Sequence, residues 1–90
     1  MEYSAEQSEV LERHVKEHTI ISIPRKLKKK VVLLEVIAND FSMNKSYTEK
    51  EVNTILYNWY DDFVILRRYL VDYHFLKRED DGSLYYKLDK

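Results

Sequence analysis

Five basic residues stand close together in the sequence and are the first candidates for binding a ligand. They are Arg25, Lys26, Lys28, Lys29 and Lys30. Apolar residues recur at helical spacing from Leu27, so we expect these bases in the first turns of a helix. The helix macrodipole disfavours positive charge there by about 0.3 to 1 kcal/mol per residue. An anion such as a DNA phosphate would suit the bases and the free backbone amides. A solvated cationic face is the alternative interpretation.

Three further bases are candidates for contacting DNA. Arg68 falls on the outer face of a predicted helix, while Lys77 and Arg78 fall on a predicted hairpin. Asp72 follows Arg68 at i+4 and is expected to pair with it, and Asp61, Asp62 and Asp72 would repel phosphates. Arg67 lies nearer the buried stripe, where an ion pair with an acid such as Glu51 is as reasonable as a ligand contact. Contacts between these basic residues and the DNA backbone are therefore favoured over hydrogen bonds to the edges of the nucleotide bases.

No Ser/His/Asp grouping, glycine-rich phosphate loop or paired-carboxylate cleft can be assembled from the sequence. The chain has no cysteine, which excludes disulfides, thiolate nucleophiles and sulfur-ligated zinc. Its single glycine excludes Walker and Rossmann phosphate loops. His14 and His18 match an H-x-x-E-H zinc motif, but such a site needs a third ligand and a cleft, so surface histidines are the better interpretation. We expect no enzymatic activity, no metal and no cofactor.

Length and composition indicate one compact unit. The chain has 90 residues, of which 44% are hydrophobic, and a net charge of -1. Residues 1–18 hold five acidic and two basic side chains, whereas residues 19–50 hold three acidic and seven basic ones. The N-terminus lacks the pattern of a signal peptide, and no apolar run approaches about 18 residues. A cytoplasmic protein without membrane contact is expected.

The elements that would position these side chains begin with two helices. A possible capping box at Ser4 and Gln7 predicts an amphipathic helix from Ser4 to about His18. Residues 19–23 form a short strand or an extended connector, and Pro24 is expected at the first position of the next helix. That helix has two apolar faces and must be covered on both, as a central helix or as part of a dimer seam. One face holds Leu27, Val31, Leu34, Ala38 and Phe41, and the other Val32, Leu33, Val36 and Ile37.

The second half of the chain predicts two more helices and a hairpin. Thr48 and Glu51 form a capping box, with Tyr47 and Val52 as its hydrophobic staple. Asp62 caps a further helix, whose buried stripe consists of Phe63, Leu66 and Leu70. Asp81-Gly82 predicts the turn of a β-hairpin. Tyr85 and Tyr86 should point to opposite faces of its second strand.

This order predicts a mainly α protein with a small β-hairpin, an α+β fold of the winged helix-turn-helix type. Residues 1–19 would form an N-terminal amphipathic helix and residues 20–90 the winged-helix domain. Three stretches resemble the bacterial family called domain of unknown function 2087: Ile23-Pro-Arg-Lys26, residues 47–53 with the sequence YTEKEVN, and Asp62 leading into residues 66–72 with the sequence LRRYLVD. The resemblance implies a winged-helix fold found in transcriptional regulators, with no established activity. His74 departs from the family pattern, which favours glycine after Tyr73.

Two functions are compatible with these features. The first is a transcription-regulator-type protein that binds duplex DNA through Arg25, Lys26, Lys28, Lys29 and Lys30, assisted by Arg68, Lys77 and Arg78. The second is a protein-interaction or dimerisation module that keeps the winged fold without binding DNA. It is suggested by the acidic outer face of the fourth helix, which follows Asp62, and by the doubly apolar second helix. Its partner would be a second copy of the chain or a regulatory protein.

Overall fold

The computed structural model describes residues 2–89 and shows a small α+β protein with four helices and two small antiparallel sheets. Met1 and Lys90, the outer ends of the two predicted segments, lie outside the described residues. The helices are α1 (Ala5–His14), α2 (Leu27–Ala38), α3 (Glu49–Tyr57) and α4 (Phe63–Asp72). The strands are β1 (Val15–Lys16), β2 (Thr19–Ile20), β3 (Ser46–Thr48), β4 (Leu76–Arg78) and β5 (Leu84–Lys87).

The larger sheet has the strand order β3-β5-β4, with both pairs antiparallel. The hairpin of β4 and β5 confirms the prediction, and so does the burial of Tyr85 beside the partly exposed Tyr86. Strand β3 was not predicted. It is only three residues long, and its pairing of Tyr47 with Tyr85 joins residues 38 positions apart, which no local pattern indicates.

Helix α2 is the central helix. Its residues Val32, Leu33, Leu34, Val36, Ile37 and Ala38 are all buried. Helices α1 and α4 both pack against it, so both apolar faces are covered within one chain and need no dimer seam. Two details of the predicted stripe are wrong. Leu27 is 57% exposed, and Phe41 is buried but lies beyond the end of the helix.

Two predicted boundaries near the N-terminus are also wrong. Helix α1 ends at His14 instead of about His18 because β1 and β2 form a tight hairpin, in which Glu17 and His18 adopt φ values of 52° and 67°. Pro24 is not the first residue of α2. It is buried in the connector, and the helix starts three residues later, with Lys26 as its N-cap.

The predicted helix starts are otherwise confirmed. Ser4 and Thr48 each form a complete capping box, with Gln7 and Glu51 respectively. The carboxylate of Asp62 accepts a hydrogen bond from the backbone N–H of Ile65 at the start of α4. In the predicted stripe of α4, Leu66 and Leu70 are buried, whereas Phe63 is only half-buried.

The end of α4 explains how the chain accommodates His74. His74 has a φ of 64°, the left-handed conformation in which glycine is favoured. The N–H of Phe75 donates to the carbonyl of Leu70 (2.8 Å) and the N–H of His74 to that of Val71 (3.1 Å), which is the Schellman pattern. The side chains of Phe75 and Leu70 are both buried. The turn after α4 therefore has the usual geometry of a helix end, although His74 stands where the family pattern favours glycine.

Candidate nucleic-acid interface

The five clustered bases do not all lie in the helix. Arg25 and Lys26 precede α2, and only Lys28, Lys29 and Lys30 occupy its first turn. The N-cap Lys26 makes no side-chain hydrogen bond to the helix, and the first turn contains no acidic residue. Several backbone N–H groups at this end therefore lack the acceptor that Ser, Thr, Asn or Asp would provide.

Three of these bases have partners within the chain. The ammonium of Lys28 lies 3.8 Å from the carboxylate of Glu6, and that of Lys29 lies 3.5 Å from Glu9. Lys30 places its Nζ 4.7 Å from the ring centroid of Tyr69. Both carboxylates come from α1, so α1 supplies the negative charge that the first turn of α2 lacks.

Arg25 and Lys26 differ from the three lysines that follow. Both are exposed, and within residues 2–89 neither has an ion-pair partner within 4.0 Å. Lys30 links this region to the rest of the candidate interface because Tyr69, over which it lies, is part of α4. The start of α2 thus flanks one side of α4.

The other side of α4 meets the hairpin at a depression of about 350 Å³. Arg68 from α4 and Arg78 from β4 both line it, so the structure brings together two of the predicted site residues. Its other lining residues are Glu49, Val64, Arg67, Val71, Asp72 and Tyr85. We call this surface the α4–hairpin depression. Lys77, by contrast, lines a separate depression together with Glu79 and Asp80.

Arg67 has a structural role within the α4–hairpin depression. Its Nη2 lies 3.1 Å from Oε1 of Glu49, and its Nη1 donates to the side-chain oxygen of Asn53. The side chain is only 18% exposed. The expectation of an ion pair is confirmed, but the partner suggested from the sequence, Glu51, is wrong. Glu51 is held at the start of α3, where its Oε1 accepts a hydrogen bond from the N–H of Thr48 (2.8 Å).

Arg68 pairs with Asp72 as the i,i+4 spacing predicts. Its Nε lies 3.9 Å from Oδ2 of Asp72, and the two side chains are 75% and 58% exposed. An exposed pair of this kind is worth about 0 to 1 kcal/mol, so a phosphate oxygen could replace the carboxylate at little cost. Asp61 and Asp62 are exposed at the other end of α4. The face is therefore of mixed charge.

The hairpin turn beside this surface is ordered by its own acids. Hydrogen bonds from the side chain and the backbone of Ser83 hold the pKa of Asp81 below its ordinary value. Gly82 has a φ of 76°, and the guanidinium of Arg78 lies against it, so that a Cβ added there would come within 2.5 Å of Nη2. Arg78 therefore covers the turn and would have to move if residue 82 had a Cβ, while the positive φ itself favours glycine at this position.

The two histidines of the H-x-x-E-H match do not share a helix face. His14 is the last residue of α1, and its Nδ1 lies 2.9 Å from the hydroxyl of Ser22. His18 lies in the β1–β2 turn, with its ring centroid 4.1 Å from that of Trp59. Within residues 2–89, no group of three His, Asp or Glu side chains is placed to hold a metal ion.

The carboxylates that pair with the basic residues of the candidate interface were not predicted from the sequence. Glu6 and Glu9 on α1 and Glu49 on α3 supply the carboxylates for Lys28, Lys29 and Arg67. The available signal was the contrast between an acidic segment at residues 1–18 and a basic one at residues 19–50.

In the described part of the chain, no helix has both the length and the apolar character to cross a membrane.

Comparison with known protein families matches most of the chain. The model of a family described as "Uncharacterized protein conserved in bacteria (DUF2087)" matches residues 19–87. No curated protein and no solved structure matches the chain. Helix α1 and strand β1 precede the matched residues, so the glutamates that contact Lys28 and Lys29 come from a segment that the family model does not cover.

Proposed function

The chain belongs to the family of uncharacterised bacterial proteins called DUF2087, and from this premise we propose that it is a winged helix-turn-helix module that binds duplex DNA chiefly through the phosphate backbone. The order of its elements supports this proposal. Helices α3 and α4 follow each other across residues 58–62, and the β4–β5 hairpin comes next, with β3 completing its sheet. In winged helix-turn-helix proteins the second helix of the pair enters the major groove.

One observation carries the proposal. Arg68 on the exposed face of α4 and Arg78 on the hairpin line the same depression, so a helix and a wing present positive charge side by side. At the start of α2, Arg25 and Lys26 are exposed and have no ion-pair partners among residues 2–89. We assign supporting contacts with the DNA phosphates to four further lysines, Lys28, Lys29, Lys30 and Lys77.

The acids around α4 determine the kind of binding that we propose. Asp61, Asp62 and Asp72 would repel phosphates. Arg68 is then the one basic side chain on the exposed face of α4 that could reach the edge of a guanine. Phosphate contacts position a protein on DNA but carry no sequence information. We therefore propose that the protein binds duplex DNA weakly and in a salt-sensitive way, with little discrimination between DNA sequences.

Fluorescence anisotropy with a labelled duplex of arbitrary sequence tests this function. We expect micromolar binding at about 50 mM salt that weakens steeply towards about 200 mM, because bound cations are released from the DNA. The double variants Arg25→Gln/Lys26→Gln and Arg68→Gln/Arg78→Gln should each lower the slope of log K against log salt by about two. The variant Lys16→Gln/Lys50→Gln carries the same change of charge at two residues that are not among the proposed contacts, and it should keep the slope. No binding at the lower salt concentration contradicts the function.

An exposed apolar corner supports a second candidate, a protein-interaction module. Tyr57 at the end of α3 is 60% exposed and Val64 in α4 is 51% exposed. The ring of Phe63 meets that of Tyr57 edge-on, with centroids 6.2 Å apart. Because α2 is covered within the chain, this corner replaces α2 as the candidate surface for a second copy or a regulatory protein. Sedimentation should then show a mass that rises with concentration and returns to the monomer in Tyr57→Ser/Val64→Ser. A constant monomer mass rejects the homodimer.

A further inference from the structure

Helix α1 contacts the start of α2 in a way that bears on DNA binding. Glu6 and Glu9 lie one turn apart on α1, and each meets a different lysine, Lys28 and Lys29. The two lysines belong to the first turn of α2, where the backbone amides and the macrodipole also favour an anion. Carboxylates of α1 therefore hold positions that phosphate oxygens of bound DNA would otherwise take.

The placement of α1 is built into the core. Val10 is 2% exposed and belongs to the same hydrophobic cluster as the residues of α2. Gln7 donates a hydrogen bond to the carboxylate of Glu35 on α2, which ties the N-terminal turn of α1 to α2. The backbone N–H of Ile20 donates to the carbonyl of Trp59 (2.7 Å), and this bond anchors the β1–β2 hairpin that follows. Helix α1 is thus docked by apolar contacts, independently of its two ion pairs.

The ion pairs themselves are weak enough to be exchanged. The side chains of Lys28, Glu6 and Glu9 are 85%, 57% and 63% exposed, and that of Lys29 is 34% exposed. Exposed pairs contribute little to folding and are screened by salt. The lysines can therefore change partner while α1 stays docked through Val10.

From these contacts we propose that α1 is a built-in competitor for phosphate that lowers the affinity of the chain for DNA. The proposal rests on the DNA-binding function proposed above and concerns its regulation. Glu6 and Glu9 neutralise Lys28 and Lys29 in the free protein, and DNA must displace them before it gains those contacts. The family model does not cover α1, so this competition is a property of this chain that the matched residues 19–87 do not contain.

The test compares three proteins by anisotropy with the same labelled duplex: the natural chain, Glu6→Gln/Glu9→Gln, and the control Glu12→Gln. Glu12 lies exposed on the same helix and pairs with no lysine among the described residues. Glutamine keeps the shape and the helix propensity of glutamate, and both target side chains are more than half exposed, so the variants should fold. Circular dichroism checks this.

We expect the double variant to bind about three- to tenfold more tightly, which corresponds to about 0.7 to 1.4 kcal/mol. Its salt slope should rise because two more lysines become available to phosphates. Glu12→Gln removes one negative charge where the double variant removes two. A gain in binding free energy in Glu12→Gln of half that in the double variant, or more, would therefore mean that only the overall charge matters, and it would overturn the competition. If the natural chain binds DNA and the double variant binds it equally tightly, the inference about α1 is overturned while the DNA-binding function stands. Absence of binding in all three proteins at low salt rejects the function and the inference together.

Discussion

Two helices of this protein begin in opposite ways. At the start of α3, Thr48 and Glu51 satisfy each other's backbone N–H groups, and the first turn contains Glu49 and Glu51. At the start of α2, the N-cap is Lys26, no side chain caps the helix, and the first turn has lysines in place of acids. Both starts receive negative charge. In α3 it comes from residues within the same turn, and in α2 it comes from a different helix.

The difference shows that the start of α2 depends on tertiary packing for what the start of α3 has locally. The lysines taken alone argued for a ligand, because positive charge at a helix start is unfavourable. Glu6 and Glu9 offset that cost within the chain. Clustered basic residues at a helix start therefore indicate an external anion only where they lie without a charged or aromatic partner, as Arg25 and Lys26 do among residues 2–89.

The strongest test of this contrast removes the packing that brings α1 to α2. Val10→Ala should lower the free energy of unfolding by about 2 kcal/mol, because the side chain is fully buried. Leu27→Ala, a loss of apolar volume at the exposed start of α2, should change it by no more than about 0.5 kcal/mol. Urea denaturation measures both. Similar effects of the two substitutions would mean that α1 is not held through Val10.

Removing the local cap of α3 should have the next largest effect. Thr48→Ala should cost about 1 kcal/mol because the N–H of Glu51 loses its acceptor. Thr54→Ala is the matched control. Its hydroxyl donates to the Lys50 carbonyl in the middle of the same helix, and alanine is the better helix former, so the change should stay within about 0.5 kcal/mol. Equal destabilisation by both would remove the distinction between cap and interior.

Giving α2 a local cap should make the two starts more alike. Lys26→Ser places a hydroxyl acceptor at the N-cap and removes a positive charge, and it should raise the free energy of unfolding by about 0.5 kcal/mol. The midpoint of urea unfolding reports this change. Lys26→Gln removes the charge without adding a good cap and should give less. If glutamine stabilises as much as serine, charge alone limits the start of α2.

The smallest expected effect is on how the free energy of unfolding changes at acidic pH. Hydrogen bonds from the Thr48 backbone and then from its side chain hold the pKa of Glu51 below its ordinary value. A lowered folded-state pKa contributes stability above the unfolded pKa, and this contribution is lost as the pH falls through the folded value. Unfolding measured between neutral pH and pH 3 should show a shallower loss in Glu51→Gln than in the natural chain. An identical pH profile would show that this hydrogen bond does not respond to protonation.

The sequence predicted most of the helix pattern because the signals were local. Capping boxes at Ser4 and Thr48, the cap at Asp62 and the Asp81-Gly82 turn are each made within a few residues, and each is present. Two boundaries failed where packing decided them. Helix α1 stops early because β1 and β2 form a tight hairpin, which a hydrogen bond from the N–H of Ile20 to the carbonyl of the distant Trp59 holds in place. The start of α2 comes later than predicted because Pro24 is buried in the connector before it.

The candidate interface was only partly predictable for the same reason. The i,i+4 pair of Arg68 and Asp72 could be read from spacing, whereas the pairing of Arg67 with Glu49 depends on how α3 crosses α4. The sequence also contained the acidic segment at residues 1–18, but nothing in its spacing indicates which lysines it meets.

Neighbouring residues encode the starts of α1, α3 and α4, the turn of the hairpin and the distribution of charge, so these features follow from the sequence alone. The tertiary structure decided which of those charges are already used. It placed Glu6 and Glu9 on Lys28 and Lys29, left Arg25 and Lys26 without partners in residues 2–89, and set Arg78 beside Arg68. These outcomes depend on the packing of α1, α4 and the hairpin around α2, and local spacing carries no information about such distances.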